Sequence, residues 1–212
     1  MKNMIGWAML AIAGLVTASS CTKDPMNNLS AEESRIYITN KDNNVNFGNY
    51  KTYSIADSVA VIDNNQFAGE QATTVDLQLI AAVKSAMESR GFVRVNRSQS
   101  PDLGINVSRL YNTSTSVVDL NGYWNDYGGY YDPYYWGYGG YGYGYPSSYA
   151  LVQSTEAMLS IDLLDPKNAA ANNNLRVVWN GVIRGTGVFT GDAVTTGVQA
   201  LFNQSPYLNT VQ

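Results

Sequence analysis

Histidine is absent from the 212 residues of this chain, and Cys21 is its only cysteine. Nucleophilic triads that rely on imidazole as the base are therefore excluded, and so are zinc sites built on histidine and thiolate. Carboxylates remain. In EAMLSIDLLDP, Asp162 and Asp165 are close enough in sequence to raise the paired-carboxylate chemistry of glycoside cleavage. A polar strand face accounts for Asp162 and an Asp-Pro turn for Asp165 more simply. The chain is thus read as non-enzymatic, with a glycan-directed carboxylate enzyme of the cell envelope as the alternative. In NKDNNVNFG, the side chains of Asn40, Asp42, Asn44 and Asn46 alternate like half of a calcium loop, but the glycine at the sixth position and the closing glutamate are missing. A turn is expected there. Gly137, Gly139 and Gly142 spell a literal GxGxxG with no strand before it and no helix after it, so dinucleotide binding is not inferred. No metal site and no cofactor are expected.

Cys21 has a different chemistry in view. Lys2 is followed by the apolar run IGWAMLAIAGLV (5–16) and then by the small residues Ala18, Ser19 and Ser20 directly before the cysteine. This is the order of a secretory signal peptide, and the run is shorter than the roughly 20 residues that span a membrane. A lone cysteine at the cleavage point resembles the lipobox of bacterial lipoproteins, with Ala18 where leucine is most usual. Residues 1–20 are read as signal peptide, Cys21 as the lipidated amino terminus and 21–34 as a tether. Two or more acyl chains, at about 0.8 kcal/mol per buried methylene, would hold the body firmly. Thr22 does not provide the aspartate of inner-membrane retention, which favours an outer-membrane anchor facing the periplasm or the cell surface.

The densest cluster of reactive surface lies in 123–149, where tyrosine and glycine dominate and Asp126 and Asp132 are the only ionised groups. So much glycine makes ordering expensive in backbone entropy, and an inserted loop over 121–150 is the plain expectation. Aromatic rings spaced by glycine can also stack on sugars or settle at lipid headgroups. Tyr131, Tyr134, Tyr135, Trp136, Tyr138 and Tyr141 are the candidate contacts for a ligand or membrane. Partners would be the outer membrane through the lipid and an envelope glycan or protein. Nucleic acid is not expected, since the segment has no lysine or arginine and the chain carries a net charge of −4.

These groups need a scaffold. RIYIT (35–39) and NYKTYSI (49–55) alternate as strands do. TTVDLQLIAAVKSAMESRGF carries Val75, Leu79, Val83, Ala86 and Met87 at helical spacing, with Thr73 and Asp76 as a capping box and Gly91 as the stop, where Phe92 folds back on Met87. DLGINVSRLY is a strand with Leu103, Ile105 and Val107 on one face. EAMLSIDLLDP puts Ala157, Leu159, Ile161 and Leu163 on a buried face, and LRVVWNGVIRG returns beside it with Leu175, Val177 and Trp179 in register. A last helix capped by Asp192 carries Val194, Val198, Leu201 and Phe202 up to Pro206. The expected fold is α+β: one domain over 35–208, two-layered, a largely antiparallel sheet with two helices on one face and a long Tyr/Gly-rich insertion.

The order of these elements, with FGNYKTYSI, GFVRV before PDLGINV, AMLSIDLLDP, LRVVWNGVIRG and a closing helix before proline, resembles the bacterial lipoprotein family called domain of unknown function 4136. Ile55 stands where that family commonly has tryptophan, and the tyrosine-rich insertion is longer than its core requires. The resemblance implies a lipid-anchored envelope protein and supplies no catalytic residues.

Overall fold

A computed structural model describes residues 29–63, 66–111, 118–119, 136, 142–144, 150–151, 157–172 and 174–210. The strands are β1 (Ile36–Lys41), β2 (Thr52–Ile55), β3 (Val59–Asp63), β4 (Gln66–Gln71), β5 (Val93–Arg94), β6 (Leu103–Tyr111), β7 (Val118–Asp119), β8 (Gly142–Gly144), β9 (Ala150–Leu151), β10 (Met158–Asp165) and β11 (Asn174–Arg184). The helices are α1 (Thr74–Glu88), the four-residue α2 (Ala169–Asn172) and α3 (Gly191–Asn203). Nine of the strands form one mixed sheet, ordered β1-β11-β10-β6-β2-β5, with β3 and β4 beyond β6 and β8 beside β11. β7 and β9 form a separate antiparallel ladder.

The centre of the sheet, β1-β11-β10-β6, is antiparallel throughout; β10 and β11 follow each other in the chain, whereas β1–β11 and β6–β10 pair across long stretches of sequence. The flanks are not. β2 and β3 lie one after the other along the same edge of β6, both parallel to it, and β5 runs parallel to β2. The hairpin of β3 and β4 has no counterpart in the elements anticipated from the sequence. VAVID followed by Asn64 and Asn65 is its signal, a β-branched run ending in turn residues.

α1 begins where its residues dictate. The Thr73 hydroxyl accepts from the Asp76 amide at 3.3 Å, and the Asp76 carboxylate accepts from the Thr73 amide at 2.8 Å. It ends before Gly91, whose φ of +85° is the left-handed conformation glycine adopts without a Cβ penalty. The Phe92 amide then donates to the Met87 carbonyl at 3.2 Å, and both side chains are buried. α3 differs from expectation at its start. Thr190, extended at φ −98° and ψ 153°, is the cap residue, and Asp192 lies inside the first turn, where its charge meets the helix dipole.

One core joins Leu79, Ile80, Val83 and Met87 of α1, Val194, Val198, Leu201 and Phe202 of α3, and the sheet residues Tyr53, Ile105, Ile161 and Trp179. Two expectations fail against it. A bulge between Leu163 and Leu164 leaves Leu163 opposite Trp179 but Leu164 opposite Val177. Val178 is the extra residue, so Trp179 joins the helix-side core while Leu175 and Val177 do not. Second, β10 is buried along its whole length, Met158–Asp165, and not on one face only. Alternating polarity suggests a solvated second face, whereas its Ser160 and Asp162 are covered.

Leu79 is fully buried. Leu79→Ala should destabilise by about 2–5 kcal/mol in urea unfolding followed by circular dichroism. Gly91→Val should also destabilise, because a Cβ there is strained at positive φ and would collide with the Thr210 side chain. Wild-type midpoints in both variants would contradict this account of α1.

Candidate functional site

The face of the sheet away from α1 and α3 is polar at its centre. Asn40, Asn180, Asp162 and Asn106 stand opposite one another across four adjacent strands, β1, β11, β10 and β6. The Asn180 amide uses both ends: its Nδ2 donates to Asp162 Oδ1 at 2.6 Å and to Ser160 Oγ at 3.0 Å, while its Oδ1 accepts from Asn40 Nδ2 at 3.2 Å. Ser160 Oγ donates to Asp162 Oδ1 at 3.3 Å. Asp162 is 2% exposed, so the two bonds that reach its Oδ1, from Asn180 and from Ser160, offset the desolvation of this carboxyl group.

Trp136 closes one end of this row. Its Nε1 donates to Asn106 Oδ1 at 3.1 Å, and its ring lies on Gly104, where a Cβ would stand 3.0 Å from the indole. A side chain at position 104 would lift the ring off the sheet, so the close approach depends on glycine. Of the six aromatic residues singled out as contacts, Trp136 alone falls among the described residues, and at 6% exposure its ring is held against the sheet. Tyr131, Tyr134, Tyr135, Tyr138 and Tyr141 lie outside the described residues, as does Cys21.

Beside Trp136 a cleft of about 220 Å³ is walled by Pro101 and Pro166 and edged by Arg97, Ser100 and Lys167. Ser100 is left-handed at φ 53°, the one non-glycine residue with positive φ among those described. Such a conformation is held only where its surroundings over-determine it. Here the Pro101 ring is buried and the next residue, Asp102, is clamped. Asp102 Oδ2 accepts from the amides of Lys51 at 2.6 Å and Thr52 at 3.0 Å, and Oδ1 pairs with Lys167 Nζ. Burial alone would raise the pKa of this carboxyl. Lys167 and the two backbone donors outweigh that and hold it below the ordinary aspartate value. Arg97 also borders a second cleft, of about 500 Å³, with Ser54, Arg94, Asn96 and Ser98.

A third cleft, about 220 Å³, also lies at the carboxyl end of β10, lined by Asn44, Asn46, Asn49, Tyr50, Asp165 and Arg176. The half-calcium pattern resolves into a turn: Asn44 N donates to Asp42 Oδ1 at 2.9 Å, Asn46 Oδ1 accepts from Gly48 N at 2.8 Å, and Asp42 Oδ2 pairs with Arg176. Asp165 accepts from the buried Tyr50 hydroxyl at 2.9 Å and from Asn168, and burial followed by the Asp165 charge pushes the Tyr50 pKa upward. Asp162 and Asp165 thus serve separate networks, one on the polar row and one at the Asp-Pro turn.

The fold and this polar, Trp-capped sheet face define a mixed α+β domain with a mostly antiparallel sheet. The chain belongs to the family described as Domain of unknown function (DUF4136), which matches residues 38–207. A crystal structure of a DUF4136 family protein from Bacteroides thetaiotaomicron is similar to it at TM-score 0.66 and 28% identity, over 84% of this chain and 99% of that one. The PelC dodecamer from Paraburkholderia phytofirmans is more distant, at TM-score 0.40 and 12% identity over 84% and 99% of the two chains. A PDZ domain protein from Parabacteroides distasonis gives TM-score 0.41 and 14% identity over 82% of this chain and 36% of that one. Among curated proteins, none matches.

Two outcomes test this geometry. Trp136→Ala should cost about 3–5 kcal/mol of unfolding free energy, as loss of a buried tryptophan does, and Gly104→Val should weaken the same seat; unchanged urea midpoints for both would mean the ring is not held there. Acid should act through Asp102. Its folded pKa lies below the unfolded value of about 3.9, so its contribution is complete above that value and is lost as pH falls through the folded pKa. Asp102→Asn should therefore flatten the decline in stability below about pH 4 relative to wild type, as read by thermal unfolding at stepped pH.

Proposed function

We propose that this protein is a lipid-anchored protein of the bacterial outer membrane, non-enzymatic, whose domain binds or organises envelope material through its aromatic-rich insertion. The observation that carries the binding role is the seat of Trp136. A residue from the middle of the Tyr/Gly segment is fastened to the centre of the sheet by a buried hydrogen bond and a glycine-permitted contact. The ladder of Val118–Asp119 with Ala150–Leu151 ties the two ends of the same segment together. Insertion 121–150 then has a stem and an anchor. In this reading the segment meets its ligand on the side of the sheet opposite α1 and α3, and fixing it at the stem and at Trp136 lowers the entropy lost on binding. Membrane attachment rests on Cys21 and the apolar run before it.

The experiment has two arms. Cys21→Ser should release the protein from membranes into the soluble fraction. Tyr134→Ala with Tyr135→Ala, leaving Trp136 in place, should lose retention on isolated cell-wall glycan or anionic vesicles while native circular dichroism is kept. Each stacked ring contributes roughly 0.5–1.5 kcal/mol beyond its buried area, so the pair should change retention several-fold. Membrane retention of the serine variant with its signal removed would overturn the anchor, and retention unaffected by the tyrosine pair would overturn the aromatic surface.

A further inference from the structure

The outer strands of the mixed sheet are not alike. β5 and β8 are two and three residues long, and β4 is interrupted where its register against β3 shifts, beside Gly69 at φ +116°. Short length and a bulge are ways in which a sheet edge is kept from pairing with another chain. β1 has neither. Its six residues hold no proline and no charge before Lys41, and among the described residues no strand lies on its outer side.

The backbone of β1 offers bonding groups along that side. Asp42 N donates to Val178 O at 2.9 Å, continuing the register in which Lys41 faces Trp179. Antiparallel strands bond through alternate residues, so Ile36, Ile38 and Asn40 turn N–H and C=O toward β11 while Tyr37, Thr39 and Lys41 turn theirs outward. These outward groups have no hydrogen-bond partner among the described residues. We propose that β1 pairs with β1 of a second copy of this chain, antiparallel and across a two-fold axis at Thr39, making one sheet continuous through both copies.

The choice of a second copy rests on how the strand fits itself. Across a two-fold axis the same surface serves both partners, and residues that face each other must share a side of the sheet. Centring on Thr39 sets Thr39 against Thr39 and Tyr37 against Lys41, so every outward N–H and C=O of both strands finds a partner. Centring on Ile38 would instead set Lys41 against Arg35, like charges directly opposite. In the chosen register the two threonines can share a hydroxyl bond, and the Lys41 ammonium, held on the helix side over the Tyr207 ring at 4.5 Å, comes beside Tyr37 of the other copy. α3 covers β1 on that side, close enough that a Cβ at Gly197 would stand 3.3 Å from the Tyr37 ring. Its exposed residues after Asp192 are Thr195, Thr196, Gln199 and Asn203, none of them charged. Two copies of the helix can flank the axis without like charges meeting, in keeping with the depletion of charge from interface cores. A foreign strand would meet the same backbone groups without the fit of Thr39 to itself.

The pairing requires neither the lipid anchor nor the tyrosines. Sedimentation equilibrium of the full chain in density-matched detergent should show a dimer. Thr39→Pro removes an outward N–H and no β1–β11 bond, and Thr39→Lys sets two ammonium groups opposite each other; each should raise the dimer Kd at least tenfold with native circular dichroism kept. Oxidative crosslinking then reads the register. Facing residues of a hydrogen-bonded antiparallel pair have Cα atoms about 5.5 Å apart, within disulfide reach, so Thr39→Cys should give a covalent dimer. Ile36→Cys, exposed but placed opposite position 42 of the other copy, is separated from its own counterpart by six residues, roughly 20 Å at about 3.4 Å per residue, and should not. Ala68→Cys on exposed β4 and wild type, whose one thiol is Cys21, should also stay monomeric on a denaturing gel. A monomer at every concentration, a dimer unaffected by both Thr39→Pro and Thr39→Lys, or crosslinking of Ile36→Cys or Ala68→Cys in place of Thr39→Cys would overturn the pairing. So would a Thr39→Cys crosslink to a different polypeptide, which would make the edge a site for a foreign strand.

Discussion

The hydrogen bond from Asn180 to Asp162 is the constraint around which this sheet is organised. A carboxylate exposed to 2% in the middle of a central strand is tolerable only if its neighbours supply donors. Asn180 meets that need because antiparallel register places it directly opposite, and the same register extends the row to Asn40 and Asn106. Slipping β10 by one residue against either neighbour would turn Asp162 into the hydrophobic core and bring Leu163 to the polar face. The row therefore specifies alignment across four strands, a task the apolar residues on the other face could share with several registers.

A second buried charge works in the same manner at the other layer. Asp76 caps α1 and is fully buried, and Arg109 of β6 reaches it with Nη2 at 2.5 Å while its guanidinium lies 4.6 Å from the centre of the Phe189 ring. One carboxylate thus starts the helix and fixes where that helix meets the sheet. Breaking such a pair leaves an uncompensated charge, which is why the pair constrains docking even where its net contribution to stability is small.

Tyrosine hydroxyls complete the frame. Tyr50 donates to Asp165 at 2.9 Å, and Tyr53 lies 3.3 Å from Glu88 Oε1, both pushed toward higher pKa first by burial and then by the neighbouring carboxylate. For each, the folded pKa lies above the unfolded one. The stability they contribute is complete below about pH 10 and declines as pH rises past it. Asp102 acts at the acidic end in the opposite sense. Hydroxyls and a carboxylate thus bracket the range in which the β2 edge keeps its shape.

Local interactions explain what could be read from the residues in order. The Thr73–Asp76 box and Gly91 bound α1 because capping and left-handed φ depend on a few adjacent residues. The β10–β11 hairpin and the family resemblance rest on short alternating runs of the same kind. Long-range pairing decided the rest. Whether a polar face is solvated depends on what lies over it, and periodicity within β10 carries no such information, so the burial of Ser160 and Asp162 was out of reach. The bulge at Val178 falls where the partner of β11 changes, from β8 beside Asn174–Arg176 to β1 beside Trp179–Arg184, a long-range arrangement that the run LRVVWNGVIRG does not encode by itself. Trp136 counted in the sequence as one aromatic among many; only Gly104 and Asn106, some thirty residues earlier, distinguish it, by leaving room for its ring and accepting its proton.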